Sequence, residues 1–108
     1  MAHTLALSDA QFKAEVLNAQ VPVLVDFWAT WCAPCIAMEP TLEELATTHL
    51  GKLKVVKVNI EDNQVTAQSF GVRSLPNFLL FKGGKLTQQL VGLQPKEELK
   101  RQLDALIG

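Results

Sequence analysis

Two cysteines, Cys32 and Cys35, stand three residues apart in the run Trp31-Cys32-Ala33-Pro34-Cys35, and they are the only two in a chain of 108 residues. Residues i and i+3 share a helix face, so two sulfurs at this spacing can meet. The run lies where an apolar strand ending near Ala29 turns into a helix. Cys32 then sits at the helix start, where unpaired N–H groups and the positive end of the dipole favour a thiolate. A free thiol, with a pKa of about 8.5, is only a few per cent ionised at neutral pH. Helix starts and Cys-x-x-Cys settings in other proteins bring that value to roughly 3.5–7.5. The implied chemistry is disulfide exchange. Cys32 attacks a disulfide and forms a mixed disulfide, and Cys35, one turn on and less exposed, attacks Cys32 and releases the reduced product.

Two other uses of such a pair are zinc binding and inert packing. Zinc sites usually take four ligands. This chain has two cysteines and two histidines, His3 and His49, far apart in sequence, so no metal is expected. Inert core is a poor fit to a strand–helix junction carrying Trp and Pro beside the sulfurs.

Composition narrows the field further. The length fits one domain, residues 1–108. A domain of this size buries about two thirds of its unfolded surface, so it needs no disulfide or metal to fold. Ten basic and eleven acidic residues give a net charge of −1. With no basic block, neither nucleic acid nor a membrane surface is an expected partner. The N-terminus lacks a basic start followed by a long apolar core, and Asp9 and Glu15 come early, so no signal peptide or membrane span is read. A cytoplasmic location is the expectation, and a monomer. Thiols there stay mostly reduced, which favours a catalytic pair over a structural one.

The elements that must position this pair alternate between strand and helix, an α/β pattern. Residues 4–7 make a short strand. Ser8 caps a first helix, with Gln11 at the reciprocal capping position and Phe12, Val16 and Leu17 on its apolar face. Residues 23–29 (VLVDFWA) read as a strand covered on both faces. A helix spans 33–49 with a kink at Pro40, and Gly51 is its stop. Residues 53–60 form a second buried strand, parallel to the first through a βαβ unit. A short helix covers 63–70 and ends at Gly71. Strands at 78–81 and 86–91 pair across Gly83-Gly84. A last helix starts near Pro95 and carries Leu99, Leu103, Leu106 and Ile107 on one face.

Two charges interrupt apolar strands. Asp26 breaks VLVDFWA, where a lone carboxylate costs several kcal/mol, as an order of magnitude, unless paired or protonated. It reads as a buried acid/base with raised pKa serving Cys35, or as a structural polar group satisfied by water. Lys57 breaks the neighbouring strand, and the two opposite charges are expected to approach each other. The alternative is a lysine that snorkels to the strand end.

The WCAPC run after VLVDFWAT, Ser74-Leu75-Pro76 before a strand, and Val91-Gly92 before the last helix resemble the thioredoxin family, in order and over essentially the whole chain. The resemblance implies the thioredoxin fold, a central five-stranded mixed sheet flanked by four helices. It implies reduction of protein disulfides, with Cys32 as nucleophile, Cys35 as resolving thiol and Asp26 as buried acid/base. It implies no bound cofactor, with electrons supplied by NADPH through thioredoxin reductase. A cis Leu75–Pro76 bond is also implied, with the Leu75 backbone pairing to an extended substrate segment. Trp31, Pro34, Ile36, Leu75, Pro76, Gly92 and Leu93 are then expected to form an apolar rim around Cys32, with Trp28 packed beneath the loop. Three positions depart from the common pattern: Ala33 for Gly, Ile36 for a basic residue, and Asn77 for Thr. The last two bear on substrate and reductase preference. Rival functions are an oxidase or isomerase on the same fold, and an interaction module that does not use the sulfurs.

Overall fold

The computed structural model describes residues 2–108. Five strands lie in the order β1-β3-β2-β4-β5. They are β1 (Leu5–Ala6), β2 (Val23–Trp28), β3 (Lys54–Asn59), β4 (Asn77–Lys82) and β5 (Lys85–Val91). Both β1 and β2 run parallel to β3, whereas β4 is antiparallel to β2 and to β5. This is the mixed sheet expected. The helices are α1 (Ala33–Thr48), α2 (Gln64–Ser69) and α3 (Lys96–Ile107). A fourth helical segment precedes β2.

β2 is central because both of its faces are apolar. Its odd residues Val23, Val25 and Phe27 join Leu7, Phe12, Val16, Val56, Val58, Leu79 and Phe81 in one core layer. The rings of Phe12, Phe70 and Phe81 meet there, with centroids 5.5–5.8 Å apart. On the other face Leu24 packs with Met38, Leu42 and Leu45 of α1, Val55 of β3, Phe78 and Leu80 of β4, and Leu99 and Leu103 of α3. Each such fully buried side chain contributes about 1.5–3 kcal/mol relative to exposure. The alternation of a strand puts Asp26 on the same side as Leu24, toward α1.

The N-terminal helix departs from the expected form. It is a 3₁₀ turn at Asp9–Gln11 followed by a wide π-helical turn at Lys13–Leu17. The Asn18 N–H donates to the Lys13 carbonyl at 2.9 Å, five residues back. Gln11 does accept from the Ser8 N–H at 3.0 Å, as the capping reading requires. Phe12 and Val16 are buried, but Leu17 is exposed. Leu17 contributes its backbone instead: its carbonyl lies against the β4–β5 turn, where a Cβ on Gly84 would come within 2.6 Å of it. The turn residues Gly83 and Gly84 both have positive φ, 61° and 76°, which suits the twist of a two-residue hairpin.

Helix α1 runs through Pro40, as the expected span required. Leu106 and Ile107 pack only partly against the core, at the C-terminal end of α3. No helix among the described residues is long and apolar enough to cross a membrane.

Candidate active site

Cys32 occupies the residue before α1, with extended backbone, and Pro34 lies in the first turn. Proline suits that turn because its missing N–H would have no partner there anyway. The Cys35 N–H donates to Sγ of Cys32 at 3.2 Å, so the sulfur plays the part that a Ser or Asp oxygen plays at other helix starts. The Cys32 carbonyl accepts from the Ile36 N–H at 3.1 Å. No acidic residue stands in the first turn, so that turn sets no like charge against a thiolate. The two sulfurs form a disulfide, with Cα atoms 5.3 Å apart. Cys32 is 5% exposed and Cys35 1%, which leaves Cys32 as the sulfur a partner reaches first.

Ala29, Cys32 and Cys35 pack together, with Trp28, Ile60 and Leu75 against them. Trp28 therefore supports the loop, as expected. A groove of about 500 Å³ opens beside Cys32, lined by Trp31, Ala33, Pro34, Ile60, Val72, Arg73 and Leu75. Trp31 is exposed and mostly uncovered. Three of the expected rim residues thus line the groove: Trp31, Pro34 and Leu75. Pro76 is buried, the Leu75–Pro76 bond is cis, and the Pro76 carbonyl accepts from the Gly92 N–H at 2.8 Å. Gly92 has φ +87°, a conformation that costs other residues about 1–2 kcal/mol. Ile36 and Leu93 are exposed but do not line the groove.

Several site residues were not read from the chain. Ile60, Val72 and Arg73 complete the groove. Glu61 accepts from the Thr30 N–H and hydroxyl at 2.6 and 2.7 Å and so tethers the loop before Trp31. Asn77 is buried rather than presented to a substrate. Its Nδ2 donates to the Ser74 carbonyl at 3.3 Å and its Oδ1 accepts from Gln89 at 3.0 Å.

Asp26 is 1% exposed, and neither carboxylate oxygen has a hydrogen-bond partner among the described residues. Burial pushes its pKa up to about 7; Lys57 pulls against that shift and Glu39 reinforces it. Lys57 stands directly opposite Asp26 in the β2–β3 register. Its ammonium, however, pairs with Oε1 of Glu39 at 3.0 Å and lies 4.5 Å from the centre of the Trp28 ring. The charged strand residues are neighbours, yet the ion pair runs to the helix. Glu39 lies four residues after Cys35, on the same helical face, and that spacing was the available clue.

No group of three or more His, Cys, Asp or Glu side chains among the described residues could hold a metal ion.

A redox-capable cysteine pair at a helix start, just past the end of the central strand of a mixed sheet and packed against Leu75, defines a thiol–disulfide oxidoreductase. The thioredoxin family model matches residues 3–105. A thioredoxin of Alicyclobacillus acidocaldarius is 49% identical over 93% of this chain and 94% of its own length. The corresponding figures for a thioredoxin of Haemophilus influenzae are 48%, 92% and 92%. For one of Pseudomonas aeruginosa they are 47%, 97% and 97%. The chain belongs to the thioredoxin family and is a protein disulfide reductase. It needs no bound cofactor, because the two sulfurs carry the electrons.

Proposed function

We propose that the 108 residues work as one monomeric cytoplasmic domain that takes electrons from NADPH through thioredoxin reductase and passes them to disulfides of other proteins. The observation that carries this reading is the Cys35 N–H aimed at Sγ of Cys32 at the start of α1, with that sulfur the more exposed of the two.

In the cycle, the Cys32 thiolate attacks one substrate sulfur. The substrate S–S bond breaks and its other sulfur leaves as thiolate. Cys35 passes its thiol proton to the Asp26 carboxylate and attacks Sγ of Cys32. The mixed disulfide breaks, the second substrate sulfur departs, and the Cys32–Cys35 bond forms. Two electrons have moved to the substrate, and both of its sulfurs become thiols on taking protons. The groove at Trp31, Pro34 and Leu75, together with the Pro76 loop held by Gly92, gives an extended substrate segment a place to lie. Lys57 sits beside Asp26 in this scheme and favours its ionised form.

The test is insulin reduction with NADPH and thioredoxin reductase. Wild type should turn over. Cys32→Ser should be inert, and Cys35→Ser should accumulate mixed disulfides resolvable on non-reducing gels. Equal alkylation rates for Cys32 in the reduced protein and for free cysteine at neutral pH would contradict the proposal.

A further inference from the structure

Among the described residues, the Lys57 ammonium has its one hydrogen-bonded partner on α1, not on β2. From its place opposite Asp26 in the ladder, the lysine could give its ammonium to the aspartate. Instead Nζ is held by Oε1 of Glu39 at 3.0 Å and by the face of Trp28 at 4.5 Å. Both Asp26 oxygens are left without a hydrogen-bond partner among the described residues. A buried carboxylate beside a lysine normally takes the ion pair, since the attraction is strongest where water is excluded. Here a glutamate whose side chain is 41% exposed competes for the ammonium of a lysine whose side chain is 18% exposed.

We infer that Glu39 is a positioning residue of the redox site: by holding the Lys57 ammonium away from Asp26, it keeps the Asp26 carboxyl unpaired and able to take the Cys35 proton. This rests on the acid/base reading of Asp26 given above. The charged groups that face Asp26 are Lys57 from β3 and Glu39 from α1. β4 sets Phe78 opposite it, which carries no charge, and Cys35 on α1 is the titratable group it serves. Trp28, two residues along β2 and thus on the same face as Asp26, lies under the lysine ammonium that Glu39 holds. An unpaired Asp26 holds its proton to higher pH than an ion-paired one. The proton then stays in the site when the dithiol is reformed, rather than leaving to water.

The experiment follows the Asp26 carboxyl carbon by NMR through a pH titration of reduced protein, in wild type, Glu39→Gln, Lys57→Met and the double variant. Glu39 is partly exposed, so its replacement leaves the core intact. Glu39→Gln frees the ammonium for Asp26, and the midpoint should fall by about one pH unit. Lys57→Met should raise it. In the Lys57→Met background the Glu39 effect should shrink to the direct charge effect of Glu39 on Asp26 alone, well below its size in wild type. A Glu39→Gln curve superimposed on wild type overturns the inference. A shift that persists in full without Lys57 overturns it as well, because Glu39 would then act on Asp26 through its own charge alone and not by holding the lysine. The pH profile of Cys35 attack on a trapped mixed disulfide is measured alongside. If the carboxyl titration moves as stated but that profile does not, the holding role of Glu39 stands and the proton transfer assigned to Asp26 fails.

Discussion

Asp26→Asn removes a buried titrating group with little change in shape, and its effect on stability follows from burial. The Asp26 pKa stands at about 7 in the folded chain against an ordinary 3.8. That is about three units, worth about 4 kcal/mol at about 1.36 kcal/mol per unit. The sign is set by proton counts. Below pH ~4 both folded and unfolded chains carry the proton and the residue contributes no pH dependence. Between about 4 and 7 the unfolded chain is ionised while the folded chain keeps its proton, so stability falls as pH rises, by about 1.4 kcal/mol per unit. Above about 7 both are ionised, and the full penalty of about 4 kcal/mol stays constant. The variant lacks this contribution. Asparagine in the same unpartnered place has its own cost, but one that does not vary with pH. Urea unfolding of the oxidised forms from pH 4 to 9 checks this, with stability extrapolated to zero denaturant. The gap between variant and wild type should widen in favour of the variant up to neutral pH and then level. Parallel curves over the whole range would refute the reasoning, because they would mean that Asp26 ionises in the fold as readily as in the unfolded chain.

Two more outcomes follow from backbone geometry. Gly84→Ala places a methyl within 2.6 Å of the Leu17 carbonyl at a φ of +76°, and should cost about 2–4 kcal/mol from the left-handed strain and overpacking together, read as a lower urea midpoint at unchanged slope. Ala33→Gly loses helix propensity of about 1 kcal/mol in both the disulfide and dithiol forms, so the loss cancels in the redox equilibrium. The reduction potential should move by less than about 30 mV, which would need about 1.4 kcal/mol of imbalance. Equilibration with a glutathione or thioredoxin-reductase couple measures it.

The chemistry of the two sulfurs was readable along the chain, because it depends on residues within one helical turn of each other. Cys32 before α1, Pro34 in the first turn and Cys35 three residues on need only the local backbone to meet. The strands were readable for a similar reason: apolar runs such as Val23–Trp28 bury both faces, and paired glycines make the β4–β5 turn. Even Asp26 announced itself, as a charge inside an apolar run. What the lysine beside it pairs with did not. Lys57 and Glu39 are eighteen residues apart and meet only when α1 lies across β3. The burial of Asn77 under Gln89 and the exposure of Leu17 beside Gly84 arise in the same way, from elements brought together by packing. Short-range spacing specifies which groups can react. Which carboxylate wins a lysine depends on distances and water exclusion between distant segments, and no local pattern encodes those.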